Sequence, residues 1–143
     1  MILKILKFLW FISLLVVLGM LLYAYASMQQ EVNLFQKGML SKESFFYAFL
    51  FFLAGLNVFI FLIKGKRGLD DVFQTWFFSM VIFSHVFLVE ILAMLVVLNS
   101  GERYDYTGFG KIFYGSVVAL ALGFISLPLY RLYIRISPAK RNE

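Results

Sequence analysis

The sequence contains no cysteine, a single histidine and few charged residues for a chain of 143 residues. The absence of cysteine excludes disulfide bonds, thiol catalysis, and zinc or iron–sulfur sites built on thiolate ligands. With a single histidine, one chain cannot supply a site with several histidine ligands, and we expect neither a metal site nor a bound cofactor. Charged residues make up 15% of the chain, whereas soluble domains contain about 25%. The composition is that of a membrane protein.

Hydrophobic residues account for 62% of the chain and concentrate in four runs: 8–30, 44–63, 72–101 and 112–130. Each run approaches or exceeds the length of about 20 apolar residues that a helix needs to cross the hydrocarbon core of a bilayer. None alternates as the strands of a membrane barrel do. The sequence therefore predicts an all-α integral membrane protein, a four-transmembrane-helix bundle with short loops. We expect one membrane domain (1–143) with helices at approximately 5–27, 44–64, 72–99 and 109–134.

The first run also has features of a secretory signal peptide. Lys4 and Lys7 precede the apolar stretch, and Ala24-Tyr25-Ala26 fits the small-residue pattern of a cleavage site. The stretch is longer than the apolar part of a signal peptide, which has about 7–15 residues. We therefore interpret this run as the first membrane span.

The basic residues are distributed unequally between the two ends of the predicted bundle. Nine lie on the side of the chain termini: Lys4, Lys7, Lys64, Lys66, Arg67, Arg131, Arg135, Lys140 and Arg141. Four lie on the opposite side: Lys37, Lys42, Arg103 and Lys111. Because cytoplasmic loops carry the excess of Lys and Arg, both termini are predicted to be cytoplasmic, and we expect the bacterial cytoplasmic (inner) membrane as the location. We attribute the net charge of +5 to the orientation of the chain in the membrane, and we therefore expect no nucleic-acid partner.

Glu90 is the one charged residue inside the four apolar runs. An acid at the centre of a bilayer costs about 2.5–3.5 kcal/mol on insertion scales, so such residues are candidates for function. One interpretation is a proton carrier, or a polar contact for a quinone or transported solute. The other is a neutral carboxylic acid that hydrogen-bonds to a neighbouring helix or subunit, as polar residues in membrane helices often do.

His85 lies near the middle of the same predicted helix, and Asn57 lies at a similar depth on the second. This shared depth predicts a hydrogen bond between them. Five residues separate His85 from Glu90, about 140° around a helix, so the two side chains do not share a face. His85 is open to three interpretations: a proton relay, a haem ligand completed by another chain, or a structural hydrogen-bonding residue.

Small residues recur every four positions on the fourth predicted helix, at Gly115, Ala119 and Gly123. Such a ridge lets two membrane helices approach closely. We expect it to face another helix, either within the bundle or in a partner.

No recognisable catalytic or nucleotide-binding motif is present. We therefore expect a small polytopic membrane protein, not an enzyme, acting as a non-catalytic subunit or accessory factor of a larger membrane complex. Its partners would be the lipid bilayer and other membrane protein subunits or further copies of itself. The alternative is a transport or bioenergetic component that uses Glu90, with His85 as a second group, for proton transfer or for contact with a quinone or solute. A lipid-active enzyme is a third alternative, for which only the loop 104–111 offers clustered polar residues.

Overall fold

The computed structural model describes residues 1–33, 38–64, 70–100 and 107–136. It contains four long helices: α1 (Ile2–Ser27), α2 (Lys42–Lys64), α3 (Asp71–Leu98) and α4 (Thr107–Ile136). Each is long and apolar enough to cross a membrane, which confirms the prediction of four helices of spanning length. Each begins slightly before its predicted start, because polar residues such as Lys42 and Asp71 continue the helix beyond the apolar run.

A short β-hairpin, which the sequence analysis did not predict, connects α1 and α2. Strand β1 (Glu31–Asn33) pairs antiparallel with strand β2 (Met39–Ser41). Val32 is fully buried while its neighbours Glu31 and Asn33 are exposed, which is the two-residue alternation of a strand with one buried face. Three residues are too few for this alternation to be recognisable in a sequence, so the sequence alone indicates only a short loop between α1 and α2.

The main hydrophobic core lies between α1 and α3. Its buried residues recur every three or four positions on each helix, as the period of 3.6 residues requires for one face. They are Val17, Leu21 and Ala24 on α1 and Leu88, Leu92 and Leu95 on α3, with Phe45 and Leu53 contributed by α2. A second cluster joins α2 to the first half of α3 through Ile60, Phe78 and Val81. The first apolar run is thus part of the folded core.

Helix α4 lies at the edge of the bundle and packs mainly against α3. Among residues 108–136 only Leu127 is buried. The partly buried positions that accompany it form one stripe: Phe109, Phe113, Ser116, Leu120 and Gly123, besides Gly110. The other residues of 108–136 are exposed, and most of them are apolar.

Local hydrogen bonds define the ends of α3. Asp70 caps the first turn, where its Oδ1 accepts from the backbone N–H of Phe73 at 2.6 Å. At the other end the backbone N–H of Asn99 closes the last turn on the carbonyl of Leu95 at 3.0 Å. The side chain of Asn99 also reaches the hairpin and so joins the end of α3 to β1.

Candidate functional site

Two residues one turn apart on α1, Trp10 and Ser13, form hydrogen-bond contacts with α2 and α3. Trp10 Nε1 donates to Asn57 Oδ1 on α2 at 3.0 Å, and Ser13 Oγ lies 2.8 Å from His85 Nδ1 on α3. Asn57 also donates from Nδ2 to the carbonyl of Leu53 at 2.9 Å. The predicted hydrogen bond between Asn57 and His85 is therefore wrong, although both residues are described: each bonds to α1 instead. Equal depth along two helices does not reveal which faces they turn toward each other.

His85 is fully buried in the contact between α1 and α3. The Ser13 hydroxyl also lies 2.8 Å from the carbonyl of Trp10, and it has one proton to donate. If that proton goes to the carbonyl, the imidazole donates from Nδ1 to Ser13, and every donor is satisfied. This leaves His85 Nε2 as an acceptor without a partner among the described residues. His85 therefore serves as a helix-to-helix contact, and no cluster of metal-ligating side chains occurs in the described part of the chain.

Glu90 joins α3 to α4, because Ser116 Oγ donates to Glu90 Oε1 at 2.9 Å. The second carboxyl oxygen, Oε2, is buried and has no hydrogen-bond partner among the described residues. Within those residues Glu90 forms no ion pair; the one salt bridge joins Arg131 to Asp70. The sequence identifies Glu90 as a candidate site residue, but nothing in it indicates that Ser116 is the hydrogen-bond partner.

The small-residue ridge contacts α3 only at one end. A Cβ added to Gly123 would lie 2.6 Å from Met80 Sδ, whereas a Cβ at Gly115 would meet nothing within 4 Å. Trp76 Nε1 donates to the carbonyl of Gly123 at 2.8 Å, so a side chain of α3 bonds to the backbone of α4 here. Gly115 and Ala119 are exposed. Residues four apart advance about 40° around a helix, and the ridge therefore turns away from α3.

Asn99 attaches the hairpin to the end of α3. Its Oδ1 accepts from the backbone N–H of Asn33 at 2.7 Å, and its Nδ2 lies 3.3 Å from the carbonyl of Asn33 and 2.8 Å from that of Leu95. The amide thus pairs with β1 as a neighbouring strand would. A polar cavity of about 280 Å³ adjoins this contact and is lined by Gln29, Glu31, Asn33, Met39, Leu98 and Asn99. The sequence indicated Asn99 only as a helix end.

An apolar groove of about 310 Å³ lies between α2, α3 and α4. Its lining consists of Leu56, Phe59 and Ile60 on α2, six residues of α3 (Phe73, Trp76, Phe77, Met80, Val81 and Ser84), and Phe124 on α4. Neither this groove nor the polar cavity is lined by Glu90 or His85. Glu90 and His85 therefore lie in contacts between helices and do not line either cavity.

The remaining candidate from the sequence is the loop 104–111, of which residues 104–106 lie outside the described residues. Its last residue, Lys111, is exposed on α4. Comparison of the chain with protein-family models, with curated proteins and with solved structures finds no match.

Proposed function

We propose that this chain is a four-helix integral membrane protein that acts as a non-catalytic subunit or accessory factor of a larger membrane complex. The observation that supports this proposal is the exposed flank of α4, where Gly115 and Ala119 are both exposed and a Cβ added to Gly115 would meet no atom within 4 Å. Lipid is as apolar as leucine, so membrane helices associate through close packing, which small residues permit. We propose that a helix of another subunit packs along this flank.

The flank also lies beside the polar contact between α3 and α4. Ser116, which donates to Glu90, immediately follows Gly115 and is one turn before Ala119. Ala119 and Phe124 are separated by five residues, or about 140° around the helix. The exposed flank and the apolar groove, which Phe124 lines, therefore occupy different sides of α4. A partner helix on the flank would leave the groove open.

For the location we propose the bacterial inner membrane, with both termini in the cytoplasm. The support is the distribution of Lys and Arg in the sequence, nine on the side of the termini against four on the other. The four apolar helices are compatible with an integral membrane protein.

A second candidate function is proton transfer, or contact with a quinone or solute, through Glu90. The observation in its favour is the buried Oε2 atom, which has no partner among the described residues. This candidate predicts that Glu90→Gln abolishes a proton-linked activity while assembly is retained. The subunit proposal predicts that Glu90→Gln retains both.

The subunit proposal is tested by placing the same bulky residue on two sides of α4. Ala119 and Ala121 are both exposed and lie about 200° apart around the helix. Ala119→Ile obstructs the flank, and Ala121→Ile is the matched control. Each variant is extracted in a mild detergent, and its size and co-purifying proteins are measured by native chromatography and mass spectrometry.

We expect the wild-type chain to elute with a defined set of membrane subunits, which Ala119→Ile loses and Ala121→Ile keeps. A photo-crosslinking residue at position 119 should label one of those subunits, while the same residue at 121 should not. The proposal is contradicted if the wild-type chain elutes alone, or if the two variants retain the same proteins in equal yield.

A further inference from the structure

One face of α4 lines the apolar groove at Phe124 and carries two arginines further along the helix. Phe124 lines the groove, and the residues four, seven and eleven positions later are Pro128, Arg131 and Arg135. This spacing places all four residues on one face of the helix. The last three, together with Leu132, line a separate cavity of about 200 Å³, which we call the basic cleft.

Phe73 connects the groove to the cleft. Its ring lines the groove, and the guanidinium of Arg131 lies over that ring, 5.9 Å from its centre. Arg131 is held there by Asp70, whose Oδ2 accepts from Nη2 at 2.9 Å. Asp70 is itself fixed as the N-cap of α3. The position of one basic group at the mouth of the groove is therefore set by the end of α3.

The cleft retains a positive charge after this pairing. Asp70 offsets Arg131, and Arg135, one turn further along α4, forms no ion pair with any described residue. Both guanidinium groups are solvent-exposed. Arginine presents a planar set of donors that matches phosphate oxygens. The cleft thus offers a binding surface for a phosphate group.

The lining of the apolar groove matches a hydrocarbon chain. Nine of its lining residues carry apolar or aromatic side chains, and the exception, Ser84, donates its hydroxyl to the carbonyl of Met80 within α3 at 2.8 Å. Trp76 is likewise occupied by its bond to Gly123. A ligand that fills both sites would combine an apolar chain with an anionic group, and phosphate is one that arginine binds well.

We propose that the groove and the basic cleft together bind one anionic glycerophospholipid, with an acyl chain between α2, α3 and α4 and the phosphate at Arg135 and Arg131. The proposal rests on membrane insertion of the helices, and it does not require a partner subunit. Basic pockets between helices at the cytoplasmic surface bind such headgroups in other membrane proteins, and the sequence predicts a cytoplasmic position for this end of α4.

The proposal is tested with the purified full chain in detergent. Binding of phosphatidylglycerol and of phosphatidylcholine with identical acyl chains is titrated by native mass spectrometry, and inorganic phosphate is added as a competitor. Arg135→Gln removes the unpaired charge of the cleft. Lys111→Gln, at the opposite end of α4 and also exposed, makes the same change in charge and is the matched control. Ser84→Leu fills the groove without removing a bond between helices.

We expect the wild-type chain to prefer phosphatidylglycerol, and Arg135→Gln to weaken its binding about fivefold, the effect of one basic residue near an anionic headgroup. Lys111→Gln should leave the preference unchanged, and Ser84→Leu should weaken both lipids. Thermal unfolding of each variant identifies any loss of fold, and Arg135→Lys, which keeps the charge, should retain the preference for phosphatidylglycerol.

Equal binding of the two lipids by the wild-type chain would overturn the proposal, because the contact would then be ordinary lipid packing. Displacement of phosphatidylglycerol by inorganic phosphate, with no effect of Ser84→Leu, would also overturn it in favour of a simple anion site. These measurements use the isolated chain. Their failure is therefore distinct from a failure to find partner subunits.

Discussion

Gly123→Ala is the substitution whose effect the structure defines most closely. The new Cβ would lie 2.6 Å from Sδ and 2.8 Å from Cε of Met80, well inside the separation of about 3.5–4.0 Å at which non-bonded atoms attract. Either the thioether of Met80 moves aside, or α4 moves away from α3. The second response would also lengthen the 2.8 Å bond from Trp76 Nε1 to the Gly123 carbonyl.

The expected cost follows from these two responses. Overpacking a close contact destabilises a protein by about 1–3 kcal/mol, and the flexible methionine side chain favours the lower end of that range. Loss of the Trp76 bond would add about 0.6 kcal/mol, the average for hydrogen bonds between membrane helices. Gly115→Ala is the matched control, because its Cβ meets no atom within 4 Å. Both variants share the gain of about 1 kcal/mol from replacing helical glycine, so their difference isolates the contact with Met80.

The assay is reversible unfolding of the detergent-solubilised chain by heat or by increasing denaturing detergent, followed by tryptophan fluorescence. We expect Gly123→Ala to lower the free energy of unfolding by about 1–3 kcal/mol relative to Gly115→Ala. In a Met80→Ala background this difference should disappear, since the atoms that the new methyl group approaches are gone. Equal stability of the two glycine variants, or a difference that persists without Met80, would refute the reasoning.

Three further predictions test other contacts and the orientation. Glu90→Gln keeps an acceptor for Ser116 and should unfold like the wild type, whereas Glu90→Ala should lose about 0.6–1.7 kcal/mol; equal losses would argue against the hydrogen bond. Asn99→Ala removes the side-chain hydrogen bonds to the backbone of Asn33 and should cost about 1–3 kcal/mol, with faster amide hydrogen exchange confined to the hairpin, and unchanged exchange there would contradict the assignment. A cysteine at Met39 should react with an impermeant maleimide in intact cells, and one at Ile136 only after permeabilisation; the reverse pattern would invert the proposed orientation.

The candidate polar site was predictable in part. Glu90, His85 and Asn57 stand out in the sequence because each is a polar residue within an apolar run, where an unpaired polar group is costly. The partners of Glu90 and His85 were not predictable, since Ser116 and Ser13 are common small residues on other helices. Which of them meets Glu90 or His85 depends on how each helix is rotated about its axis, and apolar helices with little amphipathic bias leave that rotation undetermined by local sequence.

The sequence by itself determined the number of helices of spanning length, because hydropathy and run length are properties of consecutive residues. Only the tertiary structure decided which residues of α4 meet α3. Gly115 and Gly123 look equivalent in the sequence, yet one is exposed and the other contacts Met80, because the ridge rotates about the helix as it rises. The attachment of the hairpin to Asn99 and the position of Arg131 over Phe73, which lines the apolar groove, are likewise contacts between distant segments. Such contacts arise when helices pack, and no run of neighbouring residues specifies them.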